Sequence, residues 1–242
     1  MFKIYIDPGH GTRVGGVQDP GAVANGLQES EVVLEVARRV AALLPPWAEA
    51  LLSRTDGDSP NGIDARAAAA NEWVADMVLS LHCNSFYEST ANGVEALILG
   101  TGGAAELFAT ELLSYYASAT RLYNRGIKVR SDLGILRKTK APAVLLELGF
   151  LSNLSDAEVL RNSQDVIAKA IGDAIIACAK IAGKAGEETV ETVDDAAVRI
   201  GETRTVGAKV IGGVTYVPLR DIVEALRPTV TWTPEEGAAV TL

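Results

Sequence analysis

Short apolar runs alternate along this chain with segments whose apolar residues recur at helical spacing. The first run, Phe2 to Ile6, predicts a strand, and Ser30 to Leu44 then predicts an amphipathic helix that Pro45 and Pro46 end. Strands that alternate with such helices are typical of an α/β fold. We therefore predict a twisted, mostly parallel sheet with helices on both faces.

The same alternation continues as far as residue 182. Further strands are predicted over Ala48–Leu52, Asp76–Leu81, Gly93–Leu99 and Ala143–Leu148, and further helices over Asp64–Val74, Gly103–Leu122 and Asp156–Ala182. The run Ala143–Leu148 is too short for a helix and is interrupted only by Glu147, so it predicts a central, buried strand.

The character of the chain changes after Gly183. Residues 184–195 are charged and poor in aromatic side chains, which predicts a linker between a first domain, residues 1–183, and a small α+β module, residues 196–242. The module is expected to hold a hairpin over Lys209–Val217, a helix over Leu219–Leu226, and strands over Val230–Trp232 and Ala239–Leu242.

Composition narrows the possible functions. The chain has 31 acidic and 22 basic residues and a net charge of −9, which argues against a nucleic-acid partner. No apolar run approaches the roughly 20 residues that a membrane span requires. The two cysteines, Cys83 and Cys178, lie too far apart in sequence to suggest a disulfide framework.

Only two histidines occur, and each follows an apolar run. His10 lies after Ile4–Ile6, and His82 ends the run that begins at Met77. Ligands of an open α/β sheet gather at the carboxyl ends of its strands. A lone histidine in such a place is more often structural, but two histidines and one glutamate would complete the three protein ligands of a catalytic zinc.

Several short motifs resemble, in order, those of the zinc-dependent N-acetylmuramoyl-L-alanine amidase family, which cuts the stem peptide of peptidoglycan from its sugar. They are Ile6–Gly11, Asp19–Ala22, Gly26–Ser30, Ser53–Asp56, Arg66 with Asn71, Ser80–Ser85, Gly126–Lys128 and Pro142–Asn153. The resemblance extends from the first residues to about residue 180.

The resemblance implies that His10, Glu29 and His82 bind Zn²⁺ and that Glu147 is the catalytic carboxylate. Glu147 would take a proton from the attacking water and pass it to the leaving amine. The alternative for Glu147 is a salt bridge to Arg54 or Arg66, and the alternative for Glu29 is an acidic residue that complements the dipole of a helix start.

The implied activity is hydrolysis of the amide between N-acetylmuramic acid and L-alanine, with peptidoglycan as the partner and the bacterial cell wall as the place of action. A zinc peptidase that cuts within the stem peptide and an inactive wall-binding protein are the two alternatives. Because Phe2–Ile6 is already the first strand, we expect no signal peptide. This fits a phage lysin, a mother-cell lysin or a mature form without its leader.

Two further expectations concern Cys83 and the module. The family usually has a small residue at position 83, and since neighbouring strand side chains point to opposite faces, Cys83 is expected to be buried away from His82. Residues 210–220 and 230–232 resemble the N-terminal domain of copper amine oxidases. The module has no histidine or cysteine, so we expect no copper there, but a wall-attachment or spacer role.

Overall fold

The computed structural model describes residues 1–14, 17–56 and 62–185, together with five strands between residues 194 and 241. Contacts divide the chain into two compact units, Met1–Gly186 and Glu187–Leu242. The strands of the first unit are β1 Phe2–Pro8, β2 Arg13–Val14, β3 Val17–Gln18, β4 Val23–Ala24, β5 Leu27–Gln28, β6 Ala48–Leu52, β7 Met77–Asn84, β8 Val94–Ile98, β9 Asn124–Val129 and β10 Ala143–Phe150. Its helices are α1 Glu29–Leu43, α2 Ile63–Glu72, α3 Ala104–Thr120, α4 Gly134–Lys138, α5 Leu154–Asn162 and α6 Gln164–Ile181.

Six strands form the main sheet, in the order β6-β1-β7-β10-β8-β9. The four strands β6, β1, β7 and β10 are parallel, whereas β8 is antiparallel to β10 and parallel to β9. The mostly parallel sheet with helices on both faces is therefore confirmed. The carboxyl ends of β1, β7 and β10 lie side by side at one edge.

The two faces of the sheet are packed differently. Helices α1, α3 and α6 cover one face through a large apolar cluster that includes Val33, Phe108 and Ile171. Helices α2 and α4 cover the other face through a smaller cluster that includes Ala70 and Ile135. Side chains alternate along each strand, so every second strand residue points to this thinly covered face.

Two expectations for the first unit were incomplete. The single helix expected over Asp156–Ala182 is two helices, α5 and α6, because Ser163 between them has a non-helical backbone, with φ −122° and ψ 28°. The side chain of Asn153 caps α5 by accepting a hydrogen bond from the Asp156 N–H. Strand β9 and the five-residue helix α4 were not expected, since neither carries a clear apolar period.

The second unit contains two small antiparallel sheets. One holds β11 Asp194–Ile200, β12 Arg204–Ile211 and β13 Val214–Tyr216, and the other holds β14 Thr229–Thr233 and β15 Gly237–Thr241. The expected hairpin and the last two strands are confirmed. The helix expected over Leu219–Leu226 lies outside the described residues. Among the residues that are described, no helix combines the length and apolarity needed to cross a membrane.

Candidate functional site

Three segments of the first unit bring His10, Glu29 and His82 together. His10 follows β1, Glu29 is the first residue of α1, and His82 lies near the end of β7. One ligand-type atom from each residue lies within 4.8 Å of those from the other two. Because β1 and β7 are parallel neighbours, their carboxyl ends deliver both histidines to the same edge of the sheet.

Glu29 lies between the two histidines. Its Oε1 atom is 2.9 Å from His82 Nδ1 and 3.2 Å from His10 Nε2. The backbone N–H of Cys83 also donates to Oε1, at 3.0 Å, and that of Ala22 donates to Oε2, at 2.8 Å. These contacts fix the carboxylate from both sides. The imidazole rings stand 5.1 Å apart, nearly perpendicular to each other.

The electrostatics of this group favour an ionised carboxylate. Glu29 is only 4% exposed, and burial alone would raise its pKa, but the hydrogen bonds from His10 and His82 outweigh burial and hold the pKa well below its usual range. The hydrogen bond to Glu29 in turn raises the pKa of His10 to about 9. Both histidine side chains remain partly exposed, at 28% and 20%.

Asp19 orients the first histidine. Its Oδ2 atom lies 2.8 Å from His10 Nδ1, while its Oδ1 accepts a hydrogen bond from the Gly21 N–H. Metal-binding histidines commonly use their second ring nitrogen in this way, which fixes the ring and its tautomer. Asp19 therefore leaves His10 Nε2 facing Glu29.

Two buried arginines hold the turn that carries His10. Arg66 donates to the carbonyl oxygens of Pro8 and His10, and Arg54 donates to those of Pro8, Gly9 and Ser30. His10 has a left-handed backbone, with φ of 58°, which costs energy for a residue other than glycine. The two guanidinium groups stabilise this conformation and tie the turn to the start of α1.

Asp7 completes this buried network. Its carboxylate accepts hydrogen bonds from Ser53, Ser80 and Arg66, at 2.7 to 2.9 Å. Both members of the Asp7–Arg66 ion pair are 5% exposed. Arg66 thus pairs with Asp7, and Arg54 binds backbone carbonyls, in place of the salt bridge to Glu147 that was the alternative for that residue.

Glu147 lies beside His82 in the sheet, because the two residues are register partners on β10 and β7. Its Oε2 atom is buried and has no hydrogen-bond partner among the described residues. Burial raises the pKa of Glu147 to about 7. Such a carboxylate can change its protonation state near neutral pH, which suits a group that accepts and returns a proton.

A cleft of about 260 Å³ opens at this edge. His10, His82 and Arg66 contribute polar groups to its wall, and Leu133, Ile135 and Leu145 contribute apolar ones. A larger groove of about 440 Å³ lies between α3 and α6, with Tyr115 and Lys169 in its wall. That groove is on the opposite face of the sheet and holds none of the groups described above. The cleft is therefore the better candidate for a reaction site.

The first unit matches a known family from residue 4 to residue 177, and the description of that family is N-acetylmuramoyl-L-alanine amidase. The chain belongs to this family. The match covers more than half of the chain and contains all of the site residues described above. The resemblance expected from the sequence motifs is confirmed.

Three similar proteins show the extent of the similarity. The sporulation-specific N-acetylmuramoyl-L-alanine amidase of Bacillus subtilis is 37% identical over 178 residues, which are 72% of this chain and 66% of that protein. The endolysin of Bacillus phage SPP1 is 31% identical over 164 residues, 65% of this chain and 58% of that protein. The solved catalytic domain of the amidase CwlV from Bacillus (Paenibacillus) polymyxa is 31% identical, with a TM-score of 0.67, and the match covers 76% of this chain and 100% of that domain.

Some residues near the site lie where the sequence predicted, and others have roles that it did not predict. Cys83 is buried in the apolar cluster under α1, α3 and α6, which confirms that it faces away from His82, and both cysteines are free. Asn84, at the end of β7, donates a hydrogen bond to Glu95. The roles of Asp7 and Asp19 were missed. A polar residue in an apolar strand was the available signal for Asp7, whereas Asp19 precedes Pro20 and Gly21 and has the pattern of an ordinary turn.

Proposed function

We propose that this chain is a zinc-dependent amidase that hydrolyses the bond between the lactyl group of N-acetylmuramic acid and L-alanine in the bacterial cell wall. The observation that carries the proposal is the group of His10, Glu29 and His82 beside the carboxylate of Glu147, whose Oε2 atom is buried and has no hydrogen-bond partner among the described residues. Membership of the amidase family supplies the substrate class.

The chemistry of the three residues fits zinc. Two imidazoles and one carboxylate are a common ligand set for a catalytic zinc site. The backbone packs so closely against the proposed ligands that no side chain fits at Gly9 or Gly21. A Cβ at Gly9 would lie 2.3 Å from His82 Cε1, and one at Gly21 would lie 2.6 Å from Glu29 Oε2. Glycine at these two positions lets the backbone approach the ligands closely.

In the proposed reaction, a zinc ion would supply a Lewis acid that polarises the scissile carbonyl and lowers the pKa of the attacking water. Asp19 holds the ring of His10, while Arg54 and Arg66 hold the turn from which that ring projects. Glu147 takes the proton of the water at a carboxylate oxygen and delivers it to the leaving amine of L-alanine. The apolar side chains of Leu133 and Leu145 form part of the wall of the cleft.

Digestion of purified peptidoglycan by the full chain tests this proposal. Mass spectrometry should find free stem peptides and intact glycan strands, and a zinc chelator should abolish their release. Shortened stems would instead identify a peptidase, and unchanged wall bound by the protein would identify an inactive binder. The Glu147→Gln variant is the matched control, since it keeps the proposed ligands and should release no stem peptide.

The division into a catalytic domain over residues 1–183, a linker over 184–195 and a module over 196–242 is part of the proposal. The second unit would tether the enzyme to the wall and so raise its local concentration at the substrate. Comparing a chain that ends at Gly186 with the full chain, on soluble muramoyl peptides and on intact walls, tests this role. Tethering predicts a loss of activity on walls only.

A further inference from the structure

A pair of basic side chains on β9 lies in line with the proposed catalytic carboxylate. Glu147 on β10 faces Glu95 on β8 as an antiparallel register partner. Arg125 Nε is 2.7 Å from Glu95 Oε2, and Lys128 Nζ contacts the same oxygen. We call Arg125 and Lys128 the β9 cation pair. A continuous row of ionisable groups thus extends from His82 on β7 across β10 and β8 to β9.

All members of this row are on the thinly covered face of the sheet. Leu145 and Glu147 alternate with residues of the large apolar cluster, and Leu97 and Glu95 oppose them on β8. Lys128 is the register partner of Leu97. Because Leu145 lines the cleft, the β9 cation pair lies two strands away from the wall of the cleft, on the same side of the sheet.

The β9 cation pair carries more charge than its partner neutralises. Two cations share the single carboxylate of Glu95, whose side chain is 8% exposed. Arg125 and Lys128 are 30% and 44% exposed, so their outer faces are open to a ligand. The chain as a whole has a net charge of −9, but Arg125, Lys128 and Glu95 together carry a net positive charge. An anionic group of a ligand could bind at this position.

The cation pair is also held in place before any ligand arrives. The guanidinium carbon of Arg125 lies 4.9 Å from the ring centroid of Phe150, and Arg125 Nη1 donates to the Asn92 carbonyl. Glu95 accepts a further hydrogen bond from Asn84, at 3.2 Å. Groups fixed in this way lose little conformational entropy on binding, so their charge contributes more to affinity.

The spacing matches a peptide that leaves the cleft along this row. Neighbouring strands are about 4.8 Å apart, so β9 lies about 10 Å from the strand of Glu147. An extended peptide advances about 3.4 Å per residue, and therefore covers that distance in about three residues. A side-chain or main-chain carboxylate two or three residues after the cleaved amide would reach the β9 cation pair.

We propose that Arg125 and Lys128 bind a free carboxylate at the second or third residue of the stem peptide, and so make the enzyme selective for acidic stems over their amidated forms. This inference rests on the proposed amidase function. The competing explanation is that the two cations only neutralise the buried Glu95. The two explanations differ in one respect: neutralising Glu95 stabilises the protein equally for every substrate.

The test uses two soluble muramoyl tripeptides that differ only in whether that carboxylate is free or amidated. For the full zinc-loaded chain, kcat/KM should be about tenfold higher for the free acid, mainly through KM, because a charge-assisted hydrogen bond is lost in the amide. Lys128→Met should reduce this preference to less than about threefold, whereas Lys128→Arg should retain it, since it keeps the charge. Lys169→Met removes an exposed lysine from the opposite face and should keep the full preference.

Three results would overturn the inference. They are equal rates of the unaltered chain on both tripeptides, equal losses on both in Lys128→Met, and a preference that Lys169→Met also abolishes. If the unaltered chain cleaves neither tripeptide and also releases no stem peptide from peptidoglycan, the proposed function is wrong. Calorimetric titration with the free and amidated stem peptides then still decides whether the cation pair binds a carboxylate. Should Lys128→Met fail to fold, Arg125→Met replaces it in the same comparison.

Discussion

Replacing Gly9 by alanine tests whether the close approach of the backbone to His82 matters for metal binding. A Cβ at this position would lie 2.3 Å, 2.6 Å and 2.7 Å from His82 Cε1, Nε2 and Nδ1. Unstrained contacts between such atoms begin at about 3.5 Å, so the ring must move by about 1 Å or more. Gly9 does not have a left-handed φ, so the added methyl group alone causes the strain.

The expected effect on zinc is larger than the effect on folding. Changes around metal ligands typically weaken metal binding about 10- to 100-fold, and displacement of a ligand itself should reach the upper part of that range. Overpacking costs about 1–3 kcal/mol of unfolding free energy. In a domain of this size, each kcal/mol lowers the melting temperature by about 2–4 °C. Gly9→Ala should therefore fold and yet bind zinc about 100-fold more weakly.

Competition with a chromophoric chelator gives the zinc dissociation constant, and thermal unfolding of the metal-free protein gives the stability. Gly100→Ala is the matched control, since a Cβ there would have no neighbour within 4 Å. If Gly9→Ala binds zinc within about threefold of this control, the ring of His82 can move without loss of binding. The argument that Gly9 preserves a metal site would then be wrong.

Three more predictions concern individual residues and one concerns the chain end. Glu147→Gln should lower the rate of amide hydrolysis by about 10²- to 10⁴-fold with an unchanged zinc content, measured by metal analysis. Burial raises the pKa of Glu147 from 4.5 to about 7, so ionisation of this residue destabilises the metal-free folded protein as the pH rises through that range. Without metal, Glu147→Gln should therefore be about 1–3 kcal/mol more stable than the unaltered protein at pH 8 and equally stable at pH 4. Asp7→Ala should cost about 3–5 kcal/mol in urea unfolding, because it removes the buried carboxylate that binds Ser53, Ser80 and Arg66, whereas Asp64→Ala, which breaks an exposed pair with Lys138, should cost less than about 1 kcal/mol. A chain that ends at Gly186 should retain the full zinc stoichiometry of the long form, and an unfolded product would contradict the division into two units.

The strands and helices with a strong apolar period were predictable from sequence. Strand β10 is an example: Ala143–Leu148 is apolar apart from Glu147, and the structure extends it only to Phe150. Helix α4 was not predictable, since Gly134–Lys138 contains two apolar residues whose burial depends on contacts with distant parts of the chain, such as Tyr5 and Val78. The helix break at Ser163 was missed because the apolar period continues on both sides of it.

The candidate site was predictable to the extent that its residues are rare or lie in motifs. His10 and His82 are the only histidines, so few alternatives existed. The choice of Glu29 over Glu31 came from the family motif, because both residues lie in the first turn of α1. Neither spacing nor composition could reveal that Arg54 and Arg66 bind the backbone carbonyls described above, since those contacts join residues 24 to 58 positions apart.

The two faces of the sheet are covered unequally, so they should differ in local stability. Opening of a local segment requires less energy where few apolar side chains are buried. Hydrogen exchange should therefore be slow in β7, β10 and α6, and faster in α2 and α4, which rest on the small cluster. The outer positions of this thin layer can then change without loss of the large core, whereas Arg66 on α2 must be kept, because it holds the turn that carries His10.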